Sequence, residues 1–268
     1  MADLLNNHTM YENFVLENKI EDILTTNVDL QSYMTVDNSL TQKPGMKKIV
    51  HTYKATGNVE DLDMGEGNSE AIGVTFASAE YDVKVTQGKF QYYDEQEMTD
   101  PMVVDTGLEG LAKTMINDFT AKAIAEYDKA TLTETANAWS FDLIADSIAK
   151  MNLEAEEGLF LLISVKDKAE FRKALKDDLK YSEGYVRTGY IGTVCGVPVI
   201  VSKAVPAGTG YLATKEAVTL FIKKGSEVEQ QRDADLRSNE VYARKVAVVA
   251  LTDANKVVKI TAGDQESV

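Results

Sequence analysis

The clearest pattern in the sequence is a continuous apolar stripe at helical period between Asp105 and Lys129. Its apolar residues recur at three- and four-residue spacing, which predicts an amphipathic helix that buries one face. Asp105 or Thr106 is the predicted N-cap, and Glu109 is the predicted first-turn acid. Because the stripe faces one way, a broad, flat surface must lie against it. The stripe consists of Leu108, Leu111, Ala112, Met115, Ile116, Phe119, Ala123 and Tyr127.

The two segments before this helix are predicted to be extended limbs. Residues 46–98 alternate apolar and polar positions on the way out and on the way back, around an acidic, glycine-rich stretch at 57–73. This pattern predicts a long two-stranded excursion with a flexible tip. An isolated two-stranded hairpin is marginally stable in water, so we expect another copy of the chain to cover it. Residues 1–46 combine a short apolar helical pattern with a polar, aperiodic section at 25–45, which predicts an arm that lies on another surface.

The region after the long helix alternates helical and strand patterns, which favours an α/β layer. The wholly apolar run Leu159–Ile163 predicts a strand that is buried on both faces. Ser164 is the predicted cap of the next helix, whose apolar positions are Ala169, Phe171 and Leu175. Another helix, before that strand, is predicted from an apolar face formed by Phe141, Ile144, Ala145, Ile148 and Met151.

From Gly189 onward the sequence favours strands, in the stretches YIGTVCGVPVIVS, YLAT and AVTLFIKK. Pro198 confines the first of these to an edge or a bulge, because proline cannot donate a ladder hydrogen bond. A closing hairpin is predicted from the strands that follow, and it is the predicted surface for the long helix. A long strand around Glu227–Asp233 comes first, and the hairpin consists of Val241–Leu251, a turn at Asp253–Asn255 and Val257–Ile260.

Composition narrows the classes of function. The chain has 268 residues, 44% of them hydrophobic, which is enough for a sizeable core. Its formal charge of −15 argues against gripping nucleic acid by neutralising phosphates. The single Cys195 cannot form an internal disulfide, and no apolar run reaches the roughly 18 residues that a membrane helix needs. The first residues show no signal-peptide pattern, so we expect a soluble protein of a cytosol-like compartment.

Candidate catalytic residues are few. Of the two histidines, His8 lies in the terminal segment, and His51 lies in a predicted strand where a surface or cross-strand role is favoured over a catalytic one. Cys195 lies between Val194 and Gly196 in a predicted strand, which favours a small buried side chain over a reactive thiolate. We therefore expect no catalytic residue, no cofactor-binding residue and no metal-binding residue.

One acidic loop and two glycine pairs match known binding motifs only in part. The tip stretch DLDMGEG is similar to a calcium loop, but Gly65 stands where an acid or amide is required, and Ile72 where the twelfth-position glutamate is required. The pairs Gly65-x-Gly67 and Gly208-x-Gly210 lack the strand–loop–helix context and the lysine of a phosphate-binding loop. A solvated tip and ordinary turns are the favoured interpretations.

The order of these features resembles the tailed-bacteriophage major capsid proteins with the Hong Kong 97-type fold. The stretch VTFASAEYDVKVTQGKFQYYDEQEMTDP and the helix after it are similar to the returning strand of that family's extended loop and its spine helix. GYIGTVCGVPVIVSKAVPAGTGYLATKEAVTLFIKK is similar to the strands of its axial domain, and VEQQRDADLRSNEVYARKVAVVALTDANKVVKI to the closing strands of its peripheral domain. The resemblance covers residues 45–262.

The resemblance implies an α+β capsid fold of the Hong Kong 97 type in five segments. Residues 1–44 would form the N-terminal arm, and residues 45–100 the extended β-hairpin loop. Residues 101–130 would hold the peripheral domain's long spine helix, residues 131–225 the axial α/β domain, and residues 226–268 the returning peripheral strands.

The function that the resemblance implies is self-assembly into the icosahedral head shell that encloses the packaged double-stranded DNA of a tailed phage. The implied partners are many copies of the chain in pentamers and hexamers, a separate scaffolding protein, a portal and, in some members, a decoration protein. DNA would be enclosed without sequence-specific binding, because an acidic wall repels it, and no membrane would be bound. The chain would belong to the virion, assemble in the bacterial host cytoplasm and have no enzymatic activity.

The sequence also departs from common patterns of this family and leaves alternatives open. No charged helical scaffolding segment precedes the arm, and no loop lysine and domain asparagine can be matched to the covalently cross-linked members. An encapsulin-type compartment shell is an alternative on the same fold, against which the long polar arm argues. An acidic cytosolic α/β enzyme with a hairpin insertion is a second alternative, which the shortage of histidine disfavours. A monomeric binding module is a third, which the uncovered excursion disfavours.

Overall fold

The computed structural model describes residues 30–99, 102–153, 158–174 and 193–262. Its first strands are β1 (Thr35–Asp37), β2 (Lys47–Thr56), β3 (Gly73–Asp82) and β4 (Lys84–Tyr93). The described α-helices are α1 (Asp94–Thr99), α2 (Met102–Tyr127), α3 (Phe141–Met151) and α4 (Val165–Ala174). The later strands are β5 (Leu132–Ala136), β6 (Leu159–Ile163), β7 (Thr193–Val194), β8 (Val197–Val201), β9 (Thr209–Thr214), β10 (Val218–Asp233), β11 (Ser238–Leu251) and β12 (Val257–Ala262).

The described strands form two main sheets and one separate hairpin. A four-stranded sheet has the order β1-β10-β11-β4, with β1 parallel to β10 and the other neighbours antiparallel. A six-stranded mixed sheet has the order β5-β12-β9-β6-β8-β7. Strands β2 and β3 pair only with each other, in an antiparallel hairpin. Helices and mixed sheets in this arrangement confirm the predicted α+β class.

Helix α2 carries the predicted apolar stripe, and all of the predicted stripe residues are buried. The predicted start of the helix is wrong, because the helix already runs from Met102 and Asp105 lies in its first turn rather than at the N-cap. Glu109 lies beyond the first turn, where it cannot offset the N-terminal N–H groups. Its carboxylate instead pairs with the Lys113 ammonium at 2.6 Å, one helical turn further on.

The two halves of α2 lie in different surroundings. The first half packs against the four-stranded sheet, where Leu108 belongs to a buried cluster with Val228 and Val241. The second half enters a larger cluster that both main sheets share, through Phe119 and Tyr127. One helix therefore joins the four-stranded sheet to the six-stranded sheet.

The surface beneath α2 differs from the predicted closing hairpin. Residues 241–251 do lie in one strand, but the hairpin partner of β11 is β10, a strand of 16 residues. Asp253–Asn255 is not a hairpin turn, because the chain crosses there to the other sheet and β12 runs between β5 and β9. Apolar alternation in the sequence predicted β12 as a strand but did not indicate which sheet it joins.

The five-segment division of the chain stays a prediction.

The hairpin excursion is shorter than predicted. Strands β2 and β3 pair over ten residues each, from Lys47 opposite Asp82 to Thr56 opposite Gly73. Strand β4, which was predicted to continue the excursion, pairs with β11 along its whole length. The residues after it form the short helix α1. The separate hairpin is therefore confined to residues 47–82.

The described part of the predicted N-terminal arm packs on the chain's own body. Leu30 and Met34 are buried in the cluster that both main sheets share, and Leu40 is buried against Phe221. The prediction that the whole aperiodic section lies on another molecule is therefore wrong from Leu30 onward. Residues 1–29, the rest of the predicted arm, lie outside the described residues.

No helix in the described ranges is long and apolar enough to cross a membrane.

The strand β6 and the start of α4 agree with the prediction. All five residues of β6 are buried, as expected for a strand that is covered on both faces. The Ser164 hydroxyl accepts hydrogen bonds from the backbone N–H of Lys166 at 3.2 Å and of Asp167 at 3.3 Å, so it caps α4. Phe171 on this helix is fully buried, but the predicted apolar position Ala169 is exposed, and Leu175 lies outside the described residues.

The predictions for α3 and β8 need correction. Phe141 is 48% exposed, and the buried face of α3 includes Leu143 in its place, because the helix is rotated from the predicted face. Pro198 lies in β8, which is second from the edge of its sheet, next to the two-residue strand β7. Residues 189–192 of the predicted strand lie outside the described residues.

Candidate functional site

The hairpin β2–β3 exposes an apolar face. Eight of the ten residues in β2 and nine of the ten in β3 are exposed. Tyr53 lies opposite Phe76, and Ala55 lies opposite Val74, so all four side chains share one face of the hairpin. Tyr53, Val74 and Phe76 are 68%, 64% and 70% exposed. We call these four residues the apolar hairpin face.

The base of the hairpin is anchored to the body, in contrast to its distal half. Val50 and Val83 are buried with Phe221 in one cluster. The Val83 N–H donates to the Met46 carbonyl at 2.8 Å, and the Lys48 ammonium lies 4.1 Å above the Phe221 ring. A fixed base holds the direction in which the distal half extends.

The tip between the two strands is strongly acidic. Residues 57–73 contain five acidic residues and no lysine or arginine. Hydrogen bonds from the Ser69 hydroxyl and backbone N–H, the latter at 2.8 Å, hold the pKa of Glu60 below its usual value. Glu60 therefore ties the two sides of the tip together as a carboxylate. The other acidic side chains of the tip, those of Asp61, Asp63, Glu66 and Glu70, are exposed.

An open groove lies beside the base of the hairpin, between β1 and β2. Val36, Ile49 and Phe221 supply its apolar lining, and the first two are 46% and 44% exposed. We call it the shoulder groove. Apolar side chains that are exposed together in a concave surface are typical of a binding surface.

Lysines surround the shoulder groove. Lys48 lines it, and the Lys223 ammonium donates to the carbonyl of Leu40 at 3.1 Å and to that of Lys43. The backbone N–H of Ser39, with the nearby Lys48 and Lys43, lowers the pKa of Asp37 in the same groove. The lysines of this region are Lys43, Lys47, Lys48 and Lys223, and its carboxylates are those of Asp37, Glu80 and Asp82.

Two glycines allow α2 to lie close to β4. A Cβ atom added to Gly107 on α2 would stand 2.2–2.5 Å from three atoms of the Phe90 ring. A Cβ added to Gly88 on β4 would stand 2.2 Å from the Leu111 Cδ1 atom. Both distances are far below van der Waals contact. The absent side chains therefore set the spacing between the helix and the sheet.

The far end of α2 is tied to the six-stranded sheet by a polar cluster. The Tyr211 hydroxyl donates to the Asp128 carboxylate at 3.0 Å, and the Lys259 ammonium lies 2.7 Å from the same carboxylate. The Lys259 contact, and to a lesser degree the Tyr211 hydroxyl, lower the pKa of Asp128. The cluster joins the residue after the helix to strands β9 and β12.

The described residues that the sequence offered as catalytic or metal-binding candidates do not lie together in the structure. His51 lies on the exposed side of β2, opposite Ser78 and 6.2 Å from the Tyr53 ring, which confirms the surface, cross-strand interpretation. His8 lies outside the described residues. The tip around Gly65 is exposed, as expected for a solvated loop. In the described ranges, no group of three or more potential ligand side chains is arranged to hold a metal ion.

The predicted location of Cys195 inside a strand is wrong. Cys195 and Gly196 form the two-residue turn between β7 and β8, with φ of 50° and 79°. A two-residue hairpin turn requires this left-handed backbone, so the break in apolar alternation at Gly196 was the available signal. The thiol is partly buried and lies 3.9 Å from the Phe141 carbonyl oxygen, to which it donates.

The second glycine pair contains one turn residue and one strand residue. Gly208 has a φ of 77° and lies in a turn, as predicted. Its N–H donates to both carboxylate oxygens of the buried Asp167 at 3.0 Å, a contact that the sequence did not reveal. Gly210 lies in β9, where an added Cβ would stand 2.5 Å from the Trp139 ring. Gly210 therefore leaves room for the Trp139 ring and does not form a turn.

Comparisons with known proteins identify the family. Residues 78–260 match the family model described as phage capsid protein. The major capsid protein of Staphylococcus phage phiMR11 is 26% identical over 239 residues, which cover 87% of this chain and 86% of that protein. The capsid structure of cyanophage P-SCSP1u matches with a TM-score of 0.68 at 11% identity, over 89% of each chain. A virus-like particle from Pyrococcus furiosus matches with a TM-score of 0.61 at 13% identity, over 91% of this chain and 97% of the other.

The structural likenesses confirm the predicted Hong Kong 97-type fold, with its long helix, hairpin loop and two main sheets. The family match favours the phage capsid interpretation over the encapsulin-type alternative. Since the matched range 78–260 covers more than half of the sequence, the chain belongs to the phage capsid protein family.

Proposed function

We propose that this capsid protein is the subunit that forms the icosahedral head shell of a tailed phage around packaged double-stranded DNA. Its similarity to a major capsid protein over most of both chains supports the role of main shell subunit. The observation that carries the proposal is the hairpin β2–β3, whose distal apolar side chains are exposed in the single chain. Such a limb gains stability when a neighbouring subunit covers it.

The charge of the chain suits a container for DNA. A formal charge of −15 disfavours tight binding to phosphates, so we propose that the shell encloses DNA without sequence-specific contacts. An inner wall that does not hold the genome lets it be packed and released. The proposed role is structural rather than enzymatic.

The finer features of the assembly are part of the same proposal. We propose pentamers and hexamers of the chain, a separate scaffolding protein, a portal and, where the phage has one, a decoration protein. We also propose the division into arm, extended loop, spine helix, axial domain and returning strands at 1–44, 45–100, 101–130, 131–225 and 226–268. Within it, the separate hairpin of the loop covers only residues 47–82, and β12 of the last segment pairs in the six-stranded sheet. Assembly would take place in the cytoplasm of the bacterial host, with the virion as final location.

The size of the assembled protein tests the proposal. Expression with a candidate scaffolding protein should give closed particles of MDa scale, visible by electron microscopy and by light scattering. A chain that stays a 29.5 kDa monomer under every condition tried, with residues 46–98 resistant to protease, would contradict it.

Deletion of residues 58–72 tests the folding of the subunit and its assembly into particles separately. These residues join β2 to β3 and lie outside both main sheets. The shortened subunit should keep the wild-type unfolding midpoint and form fewer particles. Loss of the folded subunit would instead show that the tip belongs to the core.

A further inference from the structure

Strand β10 carries two residues that its partner β11 does not match. Ile222 lies opposite Ala247. Five residues further along β10, Glu227 lies opposite Arg244, which is only three residues from Ala247. The register shifts once before Lys224 and once after it, so each step holds one extra residue. Such β-bulges bend a strand and increase its local twist, and the four-stranded sheet is therefore bent at residues 222–227.

The even number of extra residues keeps the buried face of β10 the same on both sides of the bulges. Ile222 before them and Val228 after them both pack towards α2, in the clusters that its two halves enter. One extra residue would turn every later side chain to the other face, whereas two restore the alternation. A ladder without the bulges would therefore bury the same residues, so burial does not require them. What the bulges change is the shape of the sheet.

The apolar packing under α2 is interrupted at the level of the bulges. Leu220 and Val228 belong to two different buried clusters. Between these clusters lie the polar residues Ser226 and Lys245, which are only 8% and 3% exposed. The Ser226 hydroxyl has no hydrogen-bond partner in the described part of the chain. Because no continuous apolar core crosses this level, helix packing alone does not fix the angle between the two parts of the sheet.

An ion cluster spans the second bulge on the face of the sheet away from α2. The Glu227 carboxylate lies 2.5 Å from the Arg244 Nε atom and 2.6 Å from the Lys224 ammonium. Hydrogen bonds from Arg244 and Lys224 lower the pKa of Glu227 to about 2. The carboxylate is therefore ionised at any pH well above that value, and it links the residues before and after the bulge.

The first bulge is tied to the segment that precedes the hairpin. The ammonium of Lys223, the extra residue, donates to the carbonyl of Leu40 at 3.1 Å and to that of Lys43. The Thr41 hydroxyl donates to the Ile222 carbonyl at 3.4 Å. Each bulge thus has its own polar anchor, which gives the bend one defined angle.

The bend decides where the far end of the sheet points. Residues 227–233 pair with β11 beyond the bulges and form a lever of about 23 Å, so a change of about 10° in the bend moves its end by about 4 Å. At that end, Leu236 in the turn and Met98 on α1 are exposed. The Arg237–Glu95 ion pair at 3.1 Å joins the turn to α1. Exposed apolar side chains at the end of a lever are suited to contact with another subunit.

We propose that the two bulges at residues 223–226 set the angle at which one subunit meets the next, and thereby the size of the closed shell. In an assembly that closes, the rotation between neighbours fixes the number of copies. This inference rests on the proposed shell function and assigns shell size to one short stretch of the subunit.

Deletion of Lys223 together with Gly225 tests the inference. Gly225 has no neighbour within 4 Å of its Cβ position, and without the two residues Ser226 would lie opposite Lys245 in an unbroken ladder. The variant should fold, because the buried faces are unchanged. Electron microscopy should show particles whose mean diameter is shifted from the wild-type mean by more than the wild-type spread. Particles of wild-type diameter would overturn the inference.

The matched control is Lys223→Met, which keeps the length of β10 but loses the contacts with the carbonyls of Leu40 and Lys43. It should form particles of wild-type diameter. A shift as large as that of the double deletion would show that the ammonium contacts, and not the extra residues, decide the diameter, which would overturn the inference.

A second variant keeps the inference testable if the double deletion does not fold. Glu227→Gln/Arg244→Gln removes the ion cluster at partly exposed positions and leaves the length of β10 unchanged. It should widen the distribution of particle diameters, because the second bulge is no longer held at one angle. An unchanged distribution would overturn the inference.

A distance measurement on the subunit separates this inference from the proposed function. In a Cys195→Ser background, spin labels at Lys215→Cys and Asp235→Cys, exposed positions before and after β10, report the length of the sheet. The double deletion should lengthen the distance between the labels by a few ångströms, because β11 keeps its length and the ladder straightens. An unchanged distance overturns the inference, whereas a wild-type chain that forms no particles with any scaffold overturns the proposed function.

Discussion

The long helix α2 and the hairpin β2–β3 both present a row of apolar side chains, but only one of them is covered by its own chain. Met115 and Phe119 on the helix are 3% and 1% exposed, whereas Tyr53 and Phe76 on the hairpin are 68% and 70% exposed. The helix row stabilises the subunit, because its area is removed from water when the chain folds. The hairpin row can contribute only when subunits meet. The same residue types therefore serve folding in one region and assembly in the other.

The largest difference in subunit stability is expected between two variants that each carry a new charge, one in the helix row and one in the hairpin row. Met115→Asp should lower the free energy of unfolding by about 3–4 kcal/mol, because a carboxylate without a partner would be buried under the helix. Val74→Asp, on the apolar hairpin face, should leave the stability of the subunit within about 0.5 kcal/mol of the wild type. Urea denaturation followed by circular dichroism measures both. Equal effects of the two substitutions would remove the distinction between the regions.

A smaller effect is expected from adding a methyl group to two glycines of α2. Gly110 has open space around its Cα, so Gly110→Ala should raise the free energy of unfolding by up to about 1 kcal/mol through helix propensity. Gly107→Ala should instead lower it by about 1 kcal/mol, because the new methyl group would overlap the Phe90 ring and overpacking exceeds the propensity gain. Thermal unfolding of the two variants gives the sign. Stabilisation by both would show that the helix and β4 can separate without cost.

The smallest effect is expected at the joint between α2 and the six-stranded sheet. The pKa of Asp128 is lowered in the folded state by Lys259 and Tyr211. The carboxylate therefore stabilises the folded state at pH values above the pKa of Asp128 in the unfolded chain, which is near 3.8. This stabilisation is lost as pH falls through the lower pKa of the folded state. Asp128→Asn should cost less than about 1 kcal/mol at pH 7, because the pair is half exposed.

The difference between Asp128→Asn and the wild type should begin to shrink as pH falls below about 3.8, where Asp128 becomes protonated in the unfolded chain, and should disappear below the lower pKa of the folded state. Denaturant unfolding at pH 7 and pH 3 measures this change. Asp146→Asn, at an exposed position of α3, is the control. A cost for Asp128→Asn that stays constant with pH would contradict the pairing with Lys259.

Local periodicity predicted most of the described helices and strands, and it predicted the buried face correctly for α2 and β6 but not for α3. The stripe on α2 is buried at every predicted position, and the run Leu159–Ile163 is a fully buried strand. Helix caps were less predictable. Ser164 was predicted correctly, because its hydroxyl acts within three residues. The start of α2 was placed four or five residues late, because Val103 and Val104 lie outside the clearest part of the stripe.

Long-range pairing was not predictable in the same way. Nothing in the apolar alternation of β4 distinguishes a strand that continues the hairpin from one that pairs with β11. Likewise, the alternation of β12 is satisfied in either main sheet. The close approach of Phe90 to Gly107 and of Leu111 to Gly88 depends on how the helix packs on the sheet. The only local signal of this packing was a glycine inside a predicted helix. The uncovered hairpin was foreseen because its alternating segments have no local partner, whereas the arm from Leu30 onward was wrongly assigned to another molecule.

The order of strand pairing has a consequence for how each new subunit is made. Strand β1 pairs with β10, β4 with β11, and β5 with β12, so three strands from the first half of the chain find these partners in its last quarter. Such distant pairing slows folding, because large loops must close before any contact rewards them. During translation, only the hairpin β2–β3 can form early among these sheets. These described strands can therefore pair only once the last quarter of the chain has been made, and until then their unpaired edges are exposed to association with other chains.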